Sequence, residues 1–149
     1  MQRTIEFRGQ RADNGEWVYG DLCKAIGGAY AICPSAYFAT RDFGEEDERG
    51  EMILEQGIAI GEFFYVKPET VGQFTGLTDK NGTKIFEGDK VRYTNPYSKN
   101  TYDHICLWDE EFACFGLFEE GNKYCQESDW VKIIQIEVIG NIHKAEGGE

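Results

Sequence analysis

The sequence has few of the residues and motifs on which enzymes most often depend. It contains two histidines, His104 and His143, and its five cysteines include no Cys-x-x-Cys pair. The stretch Gly82-Thr83-Lys84 lacks the earlier glycine and the spacing of a loop that cradles phosphate. No apolar run is long enough to span a bilayer, and the first residues hold no apolar segment typical of a signal peptide. We therefore expect reduced thiols and a cytoplasmic location.

Clustered positive charge is also missing. The chain has 15 Lys and Arg residues against 27 Asp and Glu residues, which gives a net charge of −12 at pH 7, and both halves are acidic. Contact with nucleic-acid phosphates needs grouped Lys and Arg side chains. Solubility alone explains a charge of this size, and an acidic surface that binds basic proteins or mimics nucleic acid is a second interpretation.

Aromatic residues and glycines are abundant. Aromatic residues make up 14% of the chain, hydrophobic residues 41%, and there are 18 glycines. Aromatic side chains suit the pleated surface of a sheet, and glycines suit tight turns. A chain of 149 residues with this hydrophobic content can bury a core, as one domain or two small ones.

The clearest structural pattern lies between Glu69 and Tyr93. An alternating run from Thr70 to Leu77 predicts a strand. The pair Asn81-Gly82 follows, and because both residues tolerate positive φ we predict a type I′ hairpin turn there. Glu87-Gly88-Asp89 predicts a second tight turn, which leads into the next strand.

This stretch also resembles a known family. Pro68–Gly82 and Ile85–Val91 are similar to the signature of the YopX family of phage and prophage proteins. The segments Ile5–Arg8, Trp17–Gly20 and Ile136–His143 resemble the opening strand, its partner and the closing strand of that family. The resemblance implies a mainly β protein with an SH3-like barrel towards the C-terminus, a phage or prophage origin and a homo-oligomer. It implies no catalytic or cofactor-binding residues.

The pattern of strands and breaks predicts two parts. Lys67-Pro68 is the expected seam between an N-terminal antiparallel sheet, residues 1–67, and a C-terminal part, residues 68–149, that contains the signature hairpin and the small barrel. The charged run at residues 44–51 is expected to be an exposed loop. Ser128 could cap a short helix near the end of the chain.

Two groups of residues are candidates for chemistry. His104 and Cys106 would share one side of a strand, and Cys114 could lie opposite Cys106, as a weak zinc or Cys–His candidate. The carboxylates could bind a divalent ion in a hydrolase, although two of them precede turns in which aspartate bonds its own backbone. These carboxylates are Glu69, Asp79, Glu87 and Asp89. We predict no catalytic, cofactor-binding or metal residues.

A possible binding surface is formed by the aromatic residues of the C-terminal part. These residues are Tyr93, Tyr97, Tyr102 and Trp108. On one side of a barrel they would form a platform for a peptide or for stacked bases.

The expected function is that of a non-catalytic phage or prophage accessory protein. It would bind an unidentified phage or host protein in the bacterial cytoplasm, self-associate, and need no cofactor and no membrane. Two alternatives stay open: a nucleic-acid-binding barrel protein and a metal-dependent hydrolase that uses Asp and Glu.

Overall fold

The computed structural model describes residues 3–25, 27–34, 36–46, 52–60, 62–123, 125–127 and 135–143. Their regular secondary structure is almost entirely β-strand, with a single 3-10 turn at Pro68–Thr70. The strands are β1 Phe7–Gln10, β2 Trp17–Lys24, β3 Tyr30–Cys33, β4 Ala36–Glu46, β5 Met52–Ile60, β6 Phe64–Val66, β7 Gly72–Thr78, β8 Lys84–Phe86, β9 Asp89–Thr94, β10 Thr101–Asp109, β11 Cys114–Phe118, β12 Cys125–Glu127 and β13 Glu137–Asn141. The mainly β prediction is confirmed.

The first sheet has six strands in the order β6-β3-β2-β1-β7-β8. Its centre is the predicted hairpin β1–β2, in which Phe7 pairs with Gly20. The opening strand begins at Phe7, three residues later than the alternation from Thr4 suggests. The signature hairpin β7–β8 joins this sheet through β1, where Arg8 pairs with Gly72. The hairpin is therefore hydrogen-bonded to N-terminal strands, while a domain boundary between residues 67 and 68 stays a prediction.

The second sheet has five strands in the order β12-β11-β10-β9-β13. Its inner face forms the core with one strand of the first sheet. The buried core residues are Ile85, Val91, Tyr93, Cys106, Phe115, Leu117 and Ile136. Ile85 belongs to β8, so one apolar core holds both sheets together, and each fully buried aliphatic side chain contributes about 1.5–3 kcal/mol.

Neither sheet is closed among the described residues. In the second sheet β12 and β13 are the two outer strands, and each pairs on one side only. The predicted SH3-like barrel is therefore not confirmed. The helix predicted at Ser128 falls outside the described residues, and no described helix has the length and apolar character of a membrane span.

A two-stranded arm, β4–β5, lies between β3 and β6 in sequence. Its strands pair from Ala36 with Ile60 as far as Glu46 with Met52. The prediction of a loop at residues 44–51 is wrong for residues 44–46, which extend β4, and residues 47–51 lie outside the described part. Backbone pairing with β5 holds this charged segment extended, although its composition is typical of a loop.

The turn at Asn81-Gly82 closes the signature hairpin, but it is not of type I′. Gly82 has a φ of 82°, whereas Asn81 is not among the residues with positive φ. The amide of Gly82 donates to the Asp79 carbonyl at 3.0 Å, and the Asp79 amide donates to the Thr83 carbonyl at 2.8 Å. This pattern is a three-residue connection with glycine in the left-handed region. One additional residue in the loop removes the need for positive φ at Asn81.

Gly72 allows the backbone to approach closely where the hairpin joins β1. A Cβ atom at this position would lie 2.5 Å from the carbonyl oxygen of Glu87. That oxygen belongs to the turn between the two sheets, so it has little freedom to move.

We expect the substitution Gly72→Ala to destabilise the protein by about 3 kcal/mol, because the added methyl overlaps a fixed backbone atom. Gly15→Ala is the matched control. It adds a methyl at a φ of 75° with no atom within 4 Å, so its cost is the backbone strain alone, about 1 kcal/mol. Urea unfolding measures both values, and equal costs would contradict the close-approach argument.

Candidate functional site

Of the four predicted surface aromatics, the structure brings Tyr93 and Tyr102 together, with their ring centroids 5.7 Å apart. Tyr93 is only 4% exposed and belongs to the core, so its ring offers almost no surface to a partner. Tyr97 is 93% exposed in the loop after β9. Tyr102 and Trp108 are partly exposed on the same face of β10, six residues and therefore about 20 Å apart. Whether any of these residues binds a partner stays a prediction.

The histidine and thiol candidates are buried in the second sheet. The Tyr93 hydroxyl lies 3.1 Å from Nδ1 of His104, and Tyr102 stacks on the same imidazole. Cys106 is fully buried, and burial raises the pKa of its thiol far above the ordinary value. The prediction that Cys114 lies opposite Cys106 is wrong, because Cys114 pairs with Asp109 while Cys106 pairs with Leu117. This arrangement packs a core and does not activate a nucleophile.

Asp79 connects the signature turn to the last strand. Its Oδ1 accepts the amides of Asn81 at 2.8 Å and Thr83 at 2.9 Å, and its Oδ2 accepts the amide of Val138 at 3.1 Å. Burial alone would raise the pKa of Asp79, but these three amides outweigh it and lower the pKa below its ordinary value. The predicted turn role of Asp79 is confirmed, and its link to β13 was not foreseen.

Asp89 performs a similar role in the turn between the two sheets. Its Oδ2 accepts the Phe86 amide at 2.8 Å, and its Oδ1 lies 2.7 Å from Nη2 of Arg8. Both side chains are buried. Burial raises the pKa of Asp89, although the charge of Arg8 and the Phe86 amide oppose the rise. Within the described residues no group of three His, Cys, Asp or Glu side chains is placed to hold a metal ion.

Arg8 is the centre of an aromatic cluster at this junction. Its guanidinium carbon lies 4.7 Å from the ring centroid of Trp17 and 5.0 Å from that of Phe86. The edge of the Tyr19 ring packs on Phe86 at 5.5 Å. Arg8 Nη2 also donates to the carbonyl of Glu87 at 3.2 Å. The cation is thus held by aromatic faces and by a carboxylate that is itself fixed.

A cleft of about 510 Å³ opens beside this cluster. The described residues that line it come from β1, β2, β8, β9 and β13 and from the signature turn, so it lies where the two sheets meet. They are Arg8, Trp17, Tyr19, Thr83, Lys84, Phe86, Asp89, Val138, Gly140 and Asn141. We take this junction cleft as the candidate functional site. Sequence reasoning missed it, because its residues come from five strands.

A second exposed feature is an aromatic pair that follows the arm in sequence. The pair consists of Phe63 and Tyr65, which are 52% and 55% exposed. Their rings meet edge to face, with centroids 5.6 Å apart. Hollows of about 270 Å³ and 530 Å³ adjoin the pair, the first lined by Cys23 and Ala31 and the second by Ala12 and Phe64. The run Phe63-Phe64-Tyr65 was the sequence signal, but it predicts a strand without saying which rings are exposed.

We expect Asp79→Asn to destabilise the protein by about 1–3 kcal/mol, because the amide NH₂ would face the Val138 amide, donor against donor. The lowered pKa of Asp79 contributes stability above the ordinary aspartate pKa, and that contribution is lost as the pH falls from the ordinary value through the lowered pKa of the folded state. The difference between wild type and variant, measured by urea unfolding, should therefore shrink on acidification. Asp13→Asn is the control: Asp13 is exposed and paired with Arg11, so its loss should hardly matter.

We expect Arg8→Met to destabilise the protein by about 3–5 kcal/mol at neutral pH, because Asp89 would then be a buried charge without its cation. A carboxyl whose pKa is raised in the folded state destabilises that state as the pH rises from its ordinary pKa through the raised one. The variant should therefore recover stability in mild acid, where Asp89 binds a proton. An unfolding free energy that shows no such recovery would contradict the assignment.

Comparison with known proteins places this architecture in a family. The sequence matches the family model described as YopX protein over residues 6–146. The structure is similar to the crystal structure of protein EF1440 from Enterococcus faecalis, with a TM-score of 0.56, 23% sequence identity and coverage of 98% of each chain. At that identity the likeness shows a shared fold alone. The search of curated proteins found no match. Because the family match covers nearly the whole sequence, the chain belongs to the YopX family.

Proposed function

We propose that this YopX-family protein acts by binding, without catalysis, as a self-associating accessory protein of a phage or prophage in the cytoplasm of a bacterial host. The phage context comes from the family resemblance. The observation that carries self-association is the arm β4–β5, which pairs with neither of the two larger sheets in the described part of the chain.

A ribbon of two strands is marginally stable in water when nothing covers it. This arm is long, and its sequence is rich in apolar residues. They are Tyr37, Phe38, Phe43, Met52, Ile53, Leu54, Ile58 and Ile60. The register pairs Phe38 with Ile58 and Ala36 with Ile60. A second copy of the chain would give such a ribbon the contact that stabilises it, and subunit pairing is a common answer to exposed strands.

The aromatic pair Phe63 and Tyr65 is the surface to which we assign this contact. It lies directly after the arm in sequence, and it is flanked by two hollows whose lining is mainly apolar but includes Lys24, Arg11 and Asp13. A contact between copies that each carry a net charge of −12 must avoid like-charge repulsion. An exposed aromatic patch meets this requirement, and aromatic residues are enriched in the energetically important parts of interfaces.

The proposed absence of catalysis is supported by the structural roles of the residues that were candidates for catalysis. Cys106 has a raised pKa, and the carboxylates of Asp79 and Asp89 accept backbone amides. A thiol that stays protonated and carboxylates that accept backbone amides stabilise the fold. They are not available to transfer protons to or from a substrate. The hydrolase and the nucleic-acid-binding protein remain the alternatives, and the SH3-like barrel remains a prediction. No contact among the described residues favours either alternative.

We expect the wild-type protein to form an oligomer at micromolar concentration in sedimentation experiments. Residues 36–60 can be replaced by a short Gly-Ser linker, because the flanking strands β3 and β6 are paired, with Ile32 opposite Phe64. The armless variant should fold and be monomeric. A monomeric wild type, or an armless variant that still associates, would refute the proposal.

Single substitutions locate the surface. Tyr65→Ser should weaken association by at least about tenfold, as expected for a central interface aromatic. Tyr97→Ser removes an even more exposed tyrosine far along the chain, in the loop before β10. It should leave association within about twofold of wild type, because rim or remote positions contribute little. Equal effects of the two substitutions would show that the contact lies elsewhere.

A further inference from the structure

The junction cleft differs in charge from the rest of this acidic protein. Two of its lining residues, Arg8 and Lys84, are cationic. Among the described lining residues Asp89 is the one carboxylate, and it is buried with both oxygens engaged. The cleft therefore presents donors and aromatic faces, and each of its two cations is paired with one carboxylate, Arg8 with Asp89 and Lys84 with Glu6. In a chain with a net charge of −12, this is a place where an anion is not repelled at the point of contact.

One residue that lines the cleft carries a hydrogen-bond donor without a partner. Arg8 is 6% exposed, and its Nε has no hydrogen-bond partner among the described residues. A buried N–H without an acceptor costs about 1–3 kcal/mol, so such groups are uncommon. The guanidinium lines the cleft between Trp17 and Phe86. We take an oxyanion bound beside the guanidinium as the acceptor for this donor, which the described residues leave without one.

The aromatic side chains that line the cleft set a second requirement for its ligand. Trp17, Tyr19 and Phe86 give it aromatic surface, and Tyr19 is nearly half exposed. Thr83 and Asn141 add neutral polar groups near the opening. Lys84 is paired with Glu6, but both lie near the surface, and such a pair is weak enough to exchange for a ligand. The volume of about 510 Å³ suits a molecule of one or two rings.

We propose that the junction cleft binds a small ligand that carries an aromatic ring and an oxyanion, with the ring against Trp17 and Tyr19 and the oxyanion towards Arg8 and Lys84. A phosphate ester such as a mononucleotide and an aromatic carboxylate share this chemistry. The site is independent of self-association, which we assign to the arm and to Phe63 and Tyr65.

The test uses the full chain at low salt, with four probes: phenyl phosphate, phenylacetate, a 5′-mononucleotide and inorganic phosphate. Calorimetry gives the Kd, and amide and indole NMR shifts give the location. At least one ring-bearing probe should bind at millimolar concentration or below and shift the signals of Trp17, Tyr19 and Lys84. Inorganic phosphate should bind at least about fivefold more weakly, because it makes no ring contact. A lower Kd for the phosphate esters than for phenylacetate, or the reverse, shows which of the two classes of ligand the cleft prefers.

Substitutions at exposed lining positions separate binding from folding. Lys84→Gln should raise the Kd about threefold to fivefold, as for the loss of an exposed ion pair. Tyr19→Ala should raise it about fivefold through the lost ring contact. Lys90→Gln is the matched control, since Lys90 pairs with Glu120 outside the cleft and its loss should leave the Kd unchanged. Thermal unfolding confirms that each variant is folded.

Three results would overturn the proposal. The first is the absence of binding by every ring-bearing probe. The second is equal affinity for inorganic phosphate, which would show that the aromatic walls contribute nothing. The third is an unchanged Kd in folded Lys84→Gln and Tyr19→Ala.

Discussion

The ion pair between Arg8 and Asp89 is the interaction on which the joining of the two sheets depends. It connects β1, in the middle of the first sheet, to the first residue of β9 in the second, and both side chains are buried. A buried pair is costly unless its remaining hydrogen-bonding groups are satisfied. Here the Phe86 amide and the Glu87 carbonyl supply partners and two aromatic rings enclose the guanidinium, while Arg8 Nε has no hydrogen-bond partner among the described residues. The turn Glu87-Gly88-Asp89 therefore joins the sheets as well as reversing the chain.

Local chemistry made part of this fold predictable. The alternation of apolar and polar residues predicted the hairpin of β1 and β2. The turn sequence predicted that the Asp79 side chain accepts hydrogen bonds from nearby backbone amides. The turn type was missed because Asn-Gly permits two hairpin connections, and only the pairing of Asp79 with Thr83 decides between them. The role of Asp79 in holding Val138 was unpredictable for a different reason, since 59 residues separate the two. Periodicity identifies strands and faces, but it does not say which distant strands meet.

The same limit explains why the candidate sites were missed. The predicted surface was chosen from exposed-looking aromatics in the second half, yet Tyr93 is a core residue. The junction cleft draws Trp17, Phe86 and Asn141 from three parts of the chain. The charged run that continues β4 was assigned to a loop, because composition favoured solvent and gave no sign of the pairing between Glu46 and Met52. For Tyr93 and for the junction cleft, contacts between residues distant in sequence decided the outcome, and for β4 the pairing with the neighbouring strand β5 did.

The residues that carry the family resemblance are mostly engaged in building the structure. Gly72 admits the Glu87 carbonyl, Gly82 completes the turn, and Asp79 and Asp89 accept backbone amides. Membership of the YopX family therefore predicts the fold strongly and predicts a ligand weakly, since function resides in surfaces that a fold supports. The arm and the junction cleft are two such surfaces. They lie in different parts of the structure. The arm is a ribbon outside both sheets, and the junction cleft is a gap between the two sheets. The proposed self-association and the proposed ligand binding use different residues, so substitutions can test each one separately.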